Sequence, residues 1–205
     1  MGHLKLLIEE GQVTDPGSPR GRLLDHAARL FRQKGYERTT VRDIASAVGI
    51  QSGSIFHHFS SKEDILKAVM SEALVYFTEQ LRDAIETSKE PRSKLLACIR
   101  CELQFTIGPD TTAIMSLLIS EWRCLSEDAQ RDILEYRDGY EQLWLDVLRS
   151  ARKAGLVSGD VFVIRRLLAG AIHWTTNWFQ LDGELSLEDL ANETLLLVCS
   201  SERNV

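Results

Sequence analysis

The sequence predicts an all-α fold in two parts, a small three-helix N-terminal domain and a larger helical domain behind it. Three observations predict it. The 205 residues include only 4 Pro and 13 Gly, and strong helix formers dominate. Apolar residues recur at three- and four-residue spacing along most of the chain, which is the period of a buried helix face. No run alternates apolar and polar residues as a half-buried strand would.

The elements follow in order. Residues 1–19 end in Gly11-Gln12-Val13-Thr14-Asp15-Pro16-Gly17-Ser18-Pro19 and read as a flexible N-terminal tail. From Arg20, Leu23, Leu24, Ala27, Ala28, Leu30 and Phe31 line one helix face, and Gly35 stops that helix. Thr40, with Asp43 three residues on, has the pattern of a capping box for a short helix from Val41 to Val48. Gly49 permits a tight turn, and a third short helix is expected from Ser52 to His58. Ser61 caps a long fourth helix, with Glu63 and Asp64 at its positive end. Residues 20–66 thus form one domain and 67–205 a second. In the second, Pro91 starts a helix that Gly108-Pro109 breaks. Another helix carries Ile114, Met115, Leu117, Leu118 and Trp122. Ser126 caps a long helix that ends near Gly155, Val161 to Leu181 is strongly apolar, and Ser186 caps the last helix.

Charge divides the same way. The net charge is -6, yet residues 20–62 hold eight Lys and Arg against three acids, a local +5. A basic module ahead of an acidic body is the electrostatic footprint of a nucleic-acid-binding head. Two short helices joined by a Gly-containing turn make a helix-turn-helix, whose second helix enters the DNA major groove. Here that helix carries Gln51, Ser52, Gly53 and Ser54, small or polar residues that let the backbone approach base edges. Gly53 costs roughly 1 kcal/mol of helix stability against Ala. It reads either as room for close approach or as a helix-boundary glycine.

Other function classes lose support. No stretch approaches the roughly 20 apolar residues that span a bilayer. Leu4 to Ile8 is too brief for a signal-peptide core. A cytoplasmic protein with reduced cysteines at 98, 101, 124 and 199 is expected, with no membrane partner. There is no phosphate-cradling Gly loop, nucleophile elbow or zincin motif, so no catalytic residue and no cofactor is expected. Cys98 and Cys101 form C-x-x-C without a second pair at zinc spacing, and His57 and His58 are adjacent on a helix, so no metal site is expected.

Residues 39–64 carry an ordered motif. It runs Thr39-Thr40-Val41-Arg42-Asp43-Ile44-Ala45, Gly49-Ile50, Gly53-Ser54-Ile55-Phe56-His57-His58-Phe59, then Ser61-Lys62-Glu63-Asp64. It resembles the TetR family of bacterial regulators. Tyr136-Arg137-Asp138, Trp144-Leu145-Asp146-Val147-Leu148 and Trp178-Phe179 resemble the branch that regulates fatty-acid and steroid breakdown. The resemblance implies a homodimeric repressor, each head reading half of a palindromic operator in double-stranded DNA. It places Thr40, Arg42, Gln51, Ser52, Gly53, Ser54, Phe56, His57 and Lys62 on the DNA-facing side. Thr40 and Lys62 stand at helix starts, where the backbone favours phosphate. The family commonly has Tyr where this chain has Phe56, so a phenolic hydrogen bond to phosphate is lost there. The resemblance further implies that a small-molecule effector in the C-terminal body tilts the long fourth helix and releases the operator.

For that effector, Trp122, Arg123, Arg137, Tyr140, Trp144, His173, Trp174, Asn177 and Trp178 are the candidate contacts. The two arginines suit an anionic group, and the aromatics suit an apolar body or a plain core or dimer seam. A hydrophobic carboxylic acid or its CoA thioester is the expected effector class. An aromatic drug-like compound, a Cys98/Cys101 redox switch and a helical-bundle enzyme are the alternatives. The last two helices are the expected dimer seam, packed as a four-helix bundle with their mates.

Overall fold

The structure, a computed structural model, describes residues 2–108, 117–118 and 120–199. Its α-helices are α1 (Gly2–Glu9), α2 (Pro19–Lys34), α3 (Val41–Val48), α4 (Ser52–Ile55), α5 (Lys62–Thr87), α6 (Pro91–Ile107), α7 (Glu127–Lys153), α8 (Val161–Trp174) and α9 (Leu187–Val198). Single 3-10 turns lie at Trp122–Cys124 and Thr175–Asn177. Among the described residues there is no strand, as the periodicity predicts. Of the helix expected around residues 114–122, Ile114 and Met115 fall outside the described residues, while Leu117 is buried.

The chain groups into two compact units, Met1–Tyr76 with Ala113–Arg137, and Phe77–Thr112 with Asp138–Val205. This differs from a boundary at residue 66. Val69, Met70 and Leu74 of α5, with Leu117, Leu125, Ala129 and Ile133, share one core with Leu23, Ala27 and Phe31 of α2 and Ile44 of α3. Apolar contact, not the end of a sequence motif, sets the limit of the first unit.

The first unit also holds the N-terminal segment, which the sequence alone suggests is a flexible tail. Its apolar run forms α1, with Leu7 buried. Further on, the Thr14 backbone N–H and hydroxyl each donate to the Glu72 carboxylate at 2.8 Å. Arg20 pairs with the same carboxylate at 2.6 Å and lies 4.7 Å from the centroid of the Phe59 ring. A polar sequence reads as a loop when its partner is 58 residues away.

In the second unit, α6 packs against α8 and α9. Leu95, Ile99 and Leu103 supply its apolar stripe, and Phe105 stacks on Phe77 with ring centroids 4.2 Å apart. Arg100 forms an ion pair with Glu188 at the start of α9, where Ser186 and Asp189 form a capping box. The last helix therefore begins where the sequence places it.

Candidate nucleic-acid interface and effector unit

The helix-turn-helix is built from its caps inward. Thr40 accepts from the Asp43 N–H while the Asp43 carboxylate accepts from the Thr40 backbone, so both close the capping box that starts α3. Those bonds, first the one from the Thr40 backbone, hold the Asp43 carboxyl below its usual range. At the other end Gly49 takes a left-handed conformation, φ +79°, which turns the chain sharply into α4. Ile44, Ala45 and Ile55 anchor the two helices in the core.

What α3 and α4 leave outside is the candidate interface. Thr40, Arg42, Gln51, Ser52, Gly53, Phe56 and His57 are exposed, and Ser54 is half-buried. The structure therefore brings eight of the nine candidate residues to the surface of one motif. Lys62 behaves differently. The sequence places it on phosphate at a helix start. In the structure its ammonium turns inward, donating to the carbonyls of Tyr36 at 2.8 Å and Thr39 at 2.9 Å, 4.0 Å from the Tyr36 ring centroid. These bonds tie the start of α5 to the 36–39 loop. The ring face and the two carbonyl oxygens all present negative charge to the ammonium.

Gly53 has no structural need to be glycine. Its φ is not positive, and a Cβ built there meets nothing within 4 Å. Alanine would fit and would favour the helix. Helix α4 is also shorter than the expected Ser52–His58 span. From Phe56 to His58 the N–H groups bond three residues back, to Gly53, Ser54 and Ile55, so the chain tightens into turns.

The effector candidates separate. Trp122, Arg123 and Arg137 belong to the first unit, where Trp122 packs on the core and both arginines are exposed. Tyr140 and Trp144 are buried in the second unit. Trp174, Asn177 and Trp178 are exposed, and His173 is half-buried. Around Tyr140 and Trp144 the structure assembles a charged cluster that sequence reasoning missed. Arg165 is 2% exposed and Glu102 1%. The Arg165 guanidinium donates through Nη1 to Glu102 at 3.1 Å, and through Nε and Nη2 to Glu141 at 3.1 and 2.9 Å. It lies 4.5 Å from the Trp144 ring centroid. The Tyr140 hydroxyl donates to the second Glu102 oxygen at 2.8 Å, and His173 Nε2 is 3.9 Å from the first. Burial alone would lower the Arg165 pKa, but the two carboxylates outweigh it and hold the guanidinium charged. Burial, reinforced by Glu102, keeps the Tyr140 phenol protonated. A signal existed in the sequence: Arg165-Arg166 interrupts an apolar run, and Glu102 lies one helical turn from Cys98 and from Thr106 on an apolar face.

The cysteines lie nearby. Burial pushes the Cys98 thiol up, and burial with Glu102 pushes Cys101 up to about 11. A redox switch needs thiolate, so both environments weigh against that alternative. Among the described residues, no cluster of His, Cys, Asp and Glu is arranged to hold a metal, and no helix is long and apolar enough to cross a membrane.

On α8, on α9 and just after the 3-10 turn that follows α8, large apolar side chains face outward, including Leu167, Trp174, Trp178, Leu196 and Leu197. An open groove of about 850 Å³ runs between them over Ile164, Leu168, Ile172 and Leu190.

Comparisons with known proteins agree with this geometry. Residues 23–69 match the model of bacterial regulatory proteins of the tetR family, and residues 88–201 match the tetracyclin repressor-like C-terminal domain. The HTH-type transcriptional repressor KstR2 of Mycolicibacterium smegmatis is 30% identical, with 90% of this chain and 91% of that protein aligned. The crystal structure of AibR in complex with isovaleryl coenzyme A and operator DNA is 25% identical, covers 88% of this chain and 98% of its own, and superposes with a TM-score of 0.79. A crystal structure described as superantigen pfit is 54% identical, covers 98% of both chains and gives a TM-score of 0.87. On the two domain matches and the full-length relative, the chain belongs to the TetR family of bacterial transcriptional regulators.

Proposed function

We propose that this regulator is a cytoplasmic, homodimeric repressor that grips a palindromic operator with α3 and α4 and is released by the CoA thioester of a hydrophobic acid. The observation that carries the DNA contact is Gly53. An exposed glycine that the fold does not require, among exposed Gln51, Ser52 and His57, suits close approach to base edges. The outward apolar row on α8 and α9 supports the dimer seam, since such a row is otherwise an aggregation liability.

The buried cluster favours a thioester over a free acid. Two carboxylates face one guanidinium, and all three Arg165 nitrogens are already bonded to them. A buried effector carboxylate would meet one guanidinium already shared between two carboxylates. A thioester is neutral at that point and leaves the charged CoA end to solvent. The AibR complex, named as holding both isovaleryl coenzyme A and operator DNA, supports a CoA thioester and DNA as the two ligands, and the name of KstR2 supports a repressor.

The test is a titration of the full chain against its own promoter region. Affinity is expected to fall about 10³-fold or more between roughly 50 and 200 mM salt, through counterion release. Near-stoichiometric acyl-CoA should then dissociate the complex, while the matching free acid should not. The 54% identical chain is described as a superantigen. That role asks nothing of DNA, so an absence of saturable promoter binding would favour it over the reading here.

A further inference from the structure

Between residues 19 and 76 two large apolar side chains stand exposed, Ile50 at 37% and Phe56 at 57%. Both flank α4: one precedes Gln51, the other is its C-cap. An isolated surface hydrophobe needs no explanation, but here the pair brackets the motif that faces DNA. Phe56 keeps a right-handed helical conformation, φ -68° and ψ -7°, and follows Ser52 by four residues. Its N–H bonds three residues back to the Gly53 carbonyl, so it continues the path of the exposed residues of α4. Its neighbours Ser52, Gly53 and Ser54 are small, so nothing on α4 holds the ring away from a surface that meets these residues. The ring has no polar atom with which to bind phosphate. The one apolar group on a base edge of the major groove is the thymine 5-methyl. The basic charge of residues 20–62 provides the attraction to DNA that a ring alone lacks.

We infer that Phe56 is a specificity-determining residue that reads thymine by packing on its 5-methyl group. The inference rests on the DNA-binding reading above and adds a base preference to it. The contact selects A·T pairs at one or two fixed positions in each half-site. It does so without a hydrogen bond, so it is insensitive to the groups that Gln51 or Ser52 would contact.

Deoxyuridine differs from thymidine at this edge only by the methyl. The footprint on the promoter fragment is located first, and each thymine within it is then replaced singly by deoxyuridine. Wild-type affinity should drop about fourfold at the contacted positions, the factor that one buried methyl's transfer free energy gives. The drop should vanish in F56A and persist in F56L, which keeps an apolar contact. Thermal melting should leave both variants near wild type, since Phe56 is exposed. Wild-type indifference to every uracil, or an equal uracil penalty in F56A, overturns the inference while the DNA-binding reading stands. Failure to bind the promoter at all overturns both.

Discussion

Replacing Arg165 by Met is expected to lower unfolding stability by about 3–5 kcal/mol, the cost of breaking a buried ion pair from one side. The guanidinium is 2% exposed, and its removal leaves the 1%-exposed Glu102 with the Tyr140 hydroxyl at 2.8 Å and the His173 imidazole at 3.9 Å. Glu141 lies closer to solvent and loses both of its bonds to Arg165. For a chain of this size each kcal/mol corresponds to roughly 2–4 °C, so the melting temperature should fall by about 10 °C. The sign of a second change tests the cause. Adding E102Q and E141Q to R165M should recover much of the loss, because the unpaired charge and not the missing volume is the main penalty. A loss below about 1 kcal/mol for R165M alone, on the scale of an exposed pair, would mean that water reaches the cluster and that it is not the charged interior described here.

The S54E variant is expected to lose operator affinity by about 100-fold while folding normally. Ser54 is half-buried on α4 among residues that have no acidic neighbour in the helix. A carboxylate there meets phosphates, and like charges brought together in an interface cost several kcal/mol. The loss of about 100-fold corresponds to roughly 2.7 kcal/mol. Near a helix start the same carboxylate is mildly favourable to the fold, so circular dichroism and melting should match wild type. Unchanged affinity in the promoter titration would remove α4 from the interface.

Much of this architecture is legible in the chain itself. Local signals did most of the work: Gly49 for the turn, Thr40 with Asp43 for the start of α3, Ser186 with Asp189 for the start of α9. What sequence reading misses is held by distant partners. Thr14 becomes ordered through Glu72, 58 positions on, and Arg165 finds Glu102 across 63 positions. No periodicity within a helix encodes such pairs. Lys62 shows how distant partners redirect a side chain. A motif position marks it as DNA-facing, yet the Tyr36 ring and two carbonyls decide where its ammonium goes. Residue type alone does not distinguish the buried Trp144 from the outward-facing Trp174.

The most direct measurement of the central claim is G53A in two assays, thermal unfolding and promoter binding. A Cβ at residue 53 meets no atom of the protein, and alanine favours a helix over glycine. A melting temperature equal to or above wild type is expected together with a clear loss of operator affinity, about tenfold, because the methyl obstructs the DNA and nothing else. Wild-type affinity with raised stability would contradict it, and would make Gly53 an incidental glycine on a surface that never meets a base.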